Sequence, residues 1–134
     1  MISVQRGAVA DGDRPPFAFQ MNDSTPLDVH VISHTHWDRE WYHPAGRFRQ
    51  HLVALIDELI DDPPPPGESF LLDGQAIVLD DYLAVRPERR DALAALLREG
   101  RLEAGPWYVL ADELIPSAEA LVRNLLAGRR AVRA

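Results

Sequence analysis

The 134-residue sequence predicts an α/β fold built on a parallel sheet, and two observations support this class. First, short apolar segments alternate along the chain with longer segments in which apolar residues recur at helical spacing. Second, polar clusters stand at or just past three predicted strand ends, at residues 34–38, 73–75 and 111–113. In parallel α/β folds the carboxyl ends of the strands carry the chemistry, so these clusters predict a functional site.

The first third of the chain contains a leader, a strand and a helix. Residues 1–26 mix Gly, Pro, Asp and Asn without periodicity, so we expect a flexible leader. Residues 27–33, LDVHVIS, form a β-branched run compatible with a buried parallel strand. Residues 47–60 predict an amphipathic helix, which four prolines end. The apolar stripe of this helix is Phe48, Leu52, Leu55, Ile56, Leu59 and Ile60.

The rest of the chain continues the alternation. The predicted elements are a strand at 69–72, helices at 76–85 and 88–98, strand candidates at 101–104 and 107–110, and a helix at 117–127. Gly100 is placed to end the third helix, Ser117 to cap the last helix, and Gly128 to end it. Strands and helices in this order build a parallel sheet.

The composition of the chain limits the partners and metal ligands that it can have. The net charge of −7, with 14 basic and 21 acidic residues, disfavours a nucleic-acid partner. Because the chain has no cysteine, any metal ion must be held by His, Asp or Glu. No segment reaches the roughly 18 apolar residues that span a bilayer, and the N-terminus lacks a signal-peptide core. We therefore expect a cytoplasmic protein without a membrane partner.

The segment His-Thr-His-Trp-Asp at 34–38 gathers two imidazoles and a carboxylate at a strand end. Neutral imidazole and carboxylate are the usual nitrogen and oxygen ligands of zinc. Alternate residues of an extended segment point the same way, so His34, His36 and Asp38 would share one face if the strand persists that far. On spacing alone, a metal site and an ordinary set of loop or core histidines remain equally open.

Two metal-dependent families use motifs of this kind. The metallo-β-lactamase pattern H-x-H-x-D-H resembles the segment through Asp38, but Arg39 stands where that pattern requires histidine. A wider resemblance links the chain to glycoside hydrolase family 38, the zinc-dependent retaining α-mannosidases. Three blocks resemble the N-terminal barrel segment of that family in the correct order: VHVISHTHWDREWYHP, FLLDGQ and EAGPWYVLADELIPSAEALVRNLLAG. The likeness covers about three-quarters of the chain, from Val29 to Gly128.

The resemblance implies hydrolysis of terminal α-linked mannose, with retention of configuration, in α-mannosides or mannose-containing oligosaccharides. It implies that His36 and Asp38 bind one Zn²⁺ ion, with His34 as a supporting residue. It also implies that Trp41 lies under the sugar ring, for which an aromatic face is suited; packing in the core is the alternative for Trp41.

The other two polar clusters supply possible contacts. Asp73 and Gln75 end the second strand, and Asp112 and Glu113 follow the third. These side chains could hydrogen-bond sugar hydroxyls or the metal-binding residues. They could equally cap helices or form turns. Trp107 and Tyr108 are expected to pack rather than to contact substrate.

The resemblance also implies catalytic residues that this sequence does not contain. The family's nucleophilic aspartate, a further zinc-binding histidine and the acid/base carboxylate belong to later motifs, so we expect them beyond Ala134. A barrel needs roughly 200–250 residues. We therefore expect an incomplete (β/α) barrel: a leader at 1–26, then at 27–134 an N-terminal fragment of the catalytic domain, inactive alone. A metallo-β-lactamase type of metallohydrolase and a non-catalytic carbohydrate-binding or interaction module are the alternatives.

Overall fold

The computed structural model describes residues 30–112 and 114–133. The predicted leader at 1–26, the first residues of the predicted strand at 27–29, and Glu113 lie outside the described residues.

Three short strands form a parallel sheet in the order β1-β2-β3, which confirms the α/β class. The strands are β1 (Ser33–His34), β2 (Phe70–Leu71) and β3 (Leu102–Glu103). The register places Phe70 between Ser33 and Leu102. Backbone hydrogen bonds continue past the strand ends: the Thr35 amide donates to the Leu71 carbonyl at 3.1 Å, and the Leu72 amide to the Glu103 carbonyl at 2.8 Å.

The first strand differs from its prediction. The β-branched run was expected to be a buried strand, but Val31 and Ile32 are 78% and 66% exposed and pairing starts only at Ser33. Among the described residues, β1 pairs with β2 alone and forms an edge of the sheet. Within the described part of the chain, no further layer covers the apolar side chains before it.

Of the two later strand candidates, residues 102–103 form β3, whereas residues 107–110 form no strand. Trp107 makes a single bridge to Gln75. The side chain of Asn124 takes up the next backbone groups: its Oδ1 accepts from the amides of Tyr108 and Val109 at 3.1 and 3.0 Å, and its Nδ2 donates to the Val109 carbonyl at 2.7 Å. These groups bond to a helix side chain instead of a neighbouring strand.

The helices agree closely with the periodicity of the sequence. They are α1 (Ala45–Asp61), α2 (Ile77–Leu83), α3 (Arg90–Arg98), which follows a 3₁₀ turn at Pro87–Arg89, and α4 (Ala118–Ala131). Gly100 follows α3 with φ of +68°, the left-handed conformation that ends helices. The hydroxyl of Ser117 caps α4 by accepting from the Ala120 amide at 3.3 Å.

The predicted end of the last helix is wrong. Helix α4 continues through Gly128 to Ala131, and Gly128 is buried. This glycine is selected by packing rather than by helix termination, because its missing side chain makes room for the backbone of residues 106–108.

The core lies between α1, α2, α3 and the strands β2 and β3. Its most buried large side chains are Leu52, Ile56, Leu72, Val78, Tyr82, Leu93 and Leu102. The fully buried Tyr82 donates its hydroxyl hydrogen to Asp57 at 2.7 Å, which satisfies the polar group in the core. Within the described ranges, no helix has the length and apolar character needed to cross a membrane.

Candidate active site

The loop after β1 brings His36 and Asp38 together. Their side chains are 70% and 38% exposed, and His36 Nε2 lies 3.7 Å from Asp38 Oδ1. The condition under which His34, His36 and Asp38 would share one strand face is not met, because β1 ends at His34 and the next residues form a loop. The exposed His34 instead places its Nδ1 3.2 Å from the Thr35 carbonyl.

Imidazole and carboxylate are both groups that can bind zinc, and in this pair they lie slightly farther apart than two ligands of one ion would. Bonds of about 2.0–2.2 Å to one tetrahedral zinc ion place two ligand atoms about 3.3–3.5 Å apart. The observed 3.7 Å separation is therefore within a small adjustment of that geometry. No group of three or more metal-binding side chains occurs in the described part of the chain. His36 and Asp38 can thus supply two ligands but do not form an enclosed metal site by themselves.

Asp73 and Gln75, just after β2, hold this loop through the backbone of Trp37. Asp73 Oδ2 accepts from the Trp37 amide at 2.9 Å, and Gln75 Nε2 donates to the Trp37 carbonyl at 2.6 Å. Gln75 also donates to Asp73 Oδ2 at 2.7 Å, and both side chains are buried. The residue between His36 and Asp38 is therefore fixed at both of its backbone polar groups.

The loop has another anchor, which the sequence interpretation missed. Arg39 makes a bidentate pair with Asp81 of α2: its Nε donates to Oδ2 at 2.6 Å and its Nη2 to Oδ1 at 3.0 Å. The hydrogen bond with Asp81 raises the pKa of Arg39, so the guanidinium remains charged. The available signal was the position of Asp81 on the apolar face of its helix, three residues after Val78, because a carboxylate there requires a partner.

Trp41 is 75% exposed, so its indole is accessible to a ligand and is not a core residue of this chain. Its ring centroid lies 5.7 Å from that of Tyr42. Tyr42 in turn makes an edge contact with Phe48 of α1, with centroids 5.2 Å apart. An aromatic contact thus links the exposed indole to the first helix.

The segment after β3 approaches the same end of the sheet. The Leu110 amide faces Gln75 Oε1 at 3.5 Å, and the Tyr108 hydroxyl donates to Asp80 of α2 at 3.0 Å. That hydrogen bond, followed by burial, raises the pKa of Tyr108. Asp112 is exposed and accepts from the Leu114 amide at 3.1 Å, which is a turn contact. The structure thus places Asp112 in a turn.

Comparison with known proteins agrees with this architecture. Residues 26–134 match the family described as "Glycosyl hydrolases family 38 N-terminal domain". The chain is 50% identical over 102 residues to a protein of Halalkalibacterium halodurans named "Putative mannosylglycerate hydrolase", covering 75% of this chain and 11% of that protein.

Two solved structures from Enterococcus faecalis are also similar. An alpha-mannosidase of strain V583 has a TM-score of 0.71 and 44% identity, and a protein in the glycosyl hydrolase family 38 has a TM-score of 0.66 and 40% identity. Each alignment covers 76% of this chain and 12% of the other. The chain therefore spans about an eighth or less of the length of these relatives. The match extends well beyond the five-residue motif shared with metallo-β-lactamases, and the chain belongs to glycoside hydrolase family 38.

Proposed function

We propose that this chain forms the first part of the active site of a zinc-dependent retaining α-mannosidase. The substrates would be α-mannosides or mannose-containing oligosaccharides, cleaved at a terminal α-linked mannose. The observation that carries the proposal is the 3.7 Å approach of His36 to Asp38 at the carboxyl end of a parallel sheet, in a chain of family 38. The three strands would then be the first strands of a (β/α) barrel.

In this proposal His36 and Asp38 bind the metal ion, and His34 supports them from the end of β1. A bound zinc ion would orient the mannose ring through adjacent hydroxyl groups. The exposed face of Trp41 would contact the C–H-rich side of the same ring. The two ligand side chains are accessible enough to meet an ion, while the backbone between them is held by buried groups.

Asp73 would act through the loop, since it binds the Trp37 amide between the two proposed ligands. For Asp112 and Glu113 both roles left open by the sequence stay open: contact with the substrate or with the metal-binding residues, or a place in a turn or helix cap. Retaining hydrolysis requires a nucleophilic carboxylate and an acid/base carboxylate about 5 Å apart, and we propose that both come from outside these 134 residues. We also propose a cytoplasmic location.

A second substrate candidate comes from the Halalkalibacterium relative. Its name specifies a mannosyl group joined to glycerate, and it is 50% identical to this chain over 102 residues. A mannosylglycerate hydrolase would use the same groups for the mannose ring and would differ in what surrounds the leaving group. The two candidates therefore share the proposed metal site.

The test is an assay of the complete protein that carries this chain. Purified protein, stripped with chelator and reloaded with zinc, would be given an aryl α-mannoside, a mannose oligosaccharide and mannosylglycerate. We expect zinc-dependent release of mannose with retention, and loss of release in the His36→Ala variant. Turnover that is unaffected by chelation would contradict the zinc proposal. Mannoside binding without turnover and without zinc would indicate a non-catalytic binding module.

A further inference from the structure

The ion pair between Arg39 and Asp81 connects the proposed metal site to the core. Arg39 directly follows the proposed ligand Asp38, and its guanidinium meets both carboxylate oxygens of Asp81 at 2.6 and 3.0 Å. A bidentate pair fixes the plane of the guanidinium as well as its distance, so it restricts the loop more than a single contact would.

Asp81 is held from a second side. Its side chain is only 12% exposed, and Arg49 of α1 donates to its Oδ1 at 3.1 Å. One carboxylate therefore joins the loop after β1 to both α1 and α2. Because the carboxylate is largely removed from water, losing a partner costs more than it would at an exposed surface pair.

The anchors lie on both sides of Asp38. Before it, the backbone of Trp37 is fixed by Asp73 and Gln75. After it, the side chain of Arg39 is fixed by Asp81. Without the second anchor, the loop would be tied on one side of Asp38 only, and the carboxylate could rotate away from His36.

We propose that Asp81, acting through Arg39, is a positioning residue that holds Asp38 against His36 and thereby sets the affinity of this site for its divalent cation. The identity of the cation rests on the proposed function, whereas the anchoring of the loop does not. The proposal reaches beyond the metal-binding motif, because Asp81 lies 42 residues from Arg39.

The positive charge of Arg39 allows a test, because a purely electrostatic role and an anchoring role predict opposite changes in cation affinity when Arg39 is replaced. If the guanidinium acted only as a nearby positive charge, replacing it with a neutral side chain would relieve repulsion and tighten cation binding. If it acts as an anchor, the same replacement weakens binding. Arg39→Gln therefore separates the two roles.

Arg49→Gln is the matched control. It also removes one guanidinium from the Asp81 carboxylate, so it shares the general cost of disturbing this buried group. It leaves the bidentate pair with Arg39, and hence the loop anchor, in place. A difference in loop exchange or zinc affinity between Arg39→Gln and Arg49→Gln therefore measures the effect of the loop anchor alone.

The experiment uses the complete protein in the parent form and as Arg39→Gln, Arg39→Lys, Asp81→Asn and Arg49→Gln. Amide hydrogen exchange of residues 35–43 is measured without metal, and zinc affinity by competition with a chromophoric chelator. We expect Arg39→Gln and Asp81→Asn to speed exchange and to weaken zinc binding about 10–100-fold. Arg39→Lys keeps the charge but not the bidentate geometry, so its exchange rate and zinc affinity should lie between those of the parent and Arg39→Gln. It also replaces Arg39→Gln in the test if that variant does not fold. Arg49→Gln should exchange residues 35–43 and bind zinc as the parent does.

Parent-like exchange in Arg39→Gln, or zinc binding that is unchanged or tighter, would overturn the proposal. Weakened binding of the same size in Arg49→Gln would do so as well. If the parent binds no more zinc than His36→Ala, the proposed function loses its metal, and the exchange measurement alone decides whether Asp81 anchors the loop.

Discussion

Gly128 of α4 lies directly against the backbone of Trp107. A Cβ atom at this position would overlap the Trp107 carbonyl carbon and the Pro106 carbonyl oxygen. The close approach brings Asn124, one turn earlier on the same helix face, within hydrogen-bond distance of the backbone of Tyr108 and Val109. Helix α4 is thus docked on the segment after β3 through a glycine and an amide.

Gly128→Ala should destabilise this docking strongly. The methyl group meets backbone atoms that cannot rotate aside, so the free energy of opening α4 should fall by about 3 kcal/mol or more. Native-state hydrogen exchange at the amides of α4 measures this energy. Gly46→Ala is the control, because nothing lies within 4 Å of a Cβ at Gly46 in α1. Equal opening energies for the two variants would contradict the packing role of Gly128.

Because of Tyr82, the free energy of unfolding should fall as the pH rises in the alkaline range. Burial, followed by the hydrogen bond to Asp57, raises the pKa of Tyr82 well above its ordinary value. The unfolded chain therefore loses this proton near pH 10, while the folded protein keeps it. The stabilising contribution is fully present below pH about 10 and is lost progressively above it.

Urea unfolding across pH 8 to 11 tests this. Tyr82→Phe should be less stable than the parent at pH 8, by roughly 1 kcal/mol for the lost hydrogen bond, and should lose less stability between pH 9 and 11. Tyr42→Phe, at a side chain that is 69% exposed, is the control and should leave the slope unchanged. If the free energies of unfolding of Tyr82→Phe and the parent fall in parallel with pH, Tyr82 is not the source of the pH dependence.

His36→Ala and Asp38→Ala in the complete protein should each abolish zinc retention and activity, because a site with few protein ligands cannot lose one. His34→Ala should have a milder effect, since its exposed ring contacts its own strand end. Metal analysis of the purified variants decides the assignment. A normal zinc content in Asp38→Ala would be incompatible with it.

Trp41→Ala should weaken binding of a mannose-like inhibitor by roughly 1–3 kcal/mol while zinc is retained. The indole is exposed, so its removal leaves no cavity in the core of this chain. Calorimetric titration measures the affinity, and Trp41→Phe, which keeps an aromatic face, should lose less. Unchanged affinity in Trp41→Ala would show that Trp41 does not contact the sugar.

The 134-residue chain by itself should hydrolyse nothing and bind zinc weakly. His36 and Asp38 supply two ligands, and the described residues contain no larger cluster that could enclose the ion. Assays of the isolated chain with an aryl α-mannoside and added zinc test this. Steady turnover that disappears in His36→Ala would show that the chain is catalytically sufficient.

The predicted helices were largely correct, because their signals are local. The apolar spacing of α1, the cap at Ser117 and the stop at Gly100 each depend on residues within a turn or two of one another. The exception is Gly128, where a helix-ending residue type serves a contact with residue 107 instead. Nothing near Gly128 in the sequence distinguishes these two uses of glycine.

By itself, the sequence determined the α/β alternation and the family, because helical spacing and sequence motifs are read along the chain. It also led to the proposal of His36 and Asp38 as metal ligands, since the two residues belong to one short motif. Only the tertiary structure decided how the loop that carries them is held. Gln75 reaches Trp37 across 38 residues and Asp81 reaches Arg39 across 42. Contacts over such separations depend on the register of parallel strands and on the packing of α2 beside them, and no local pattern encodes either.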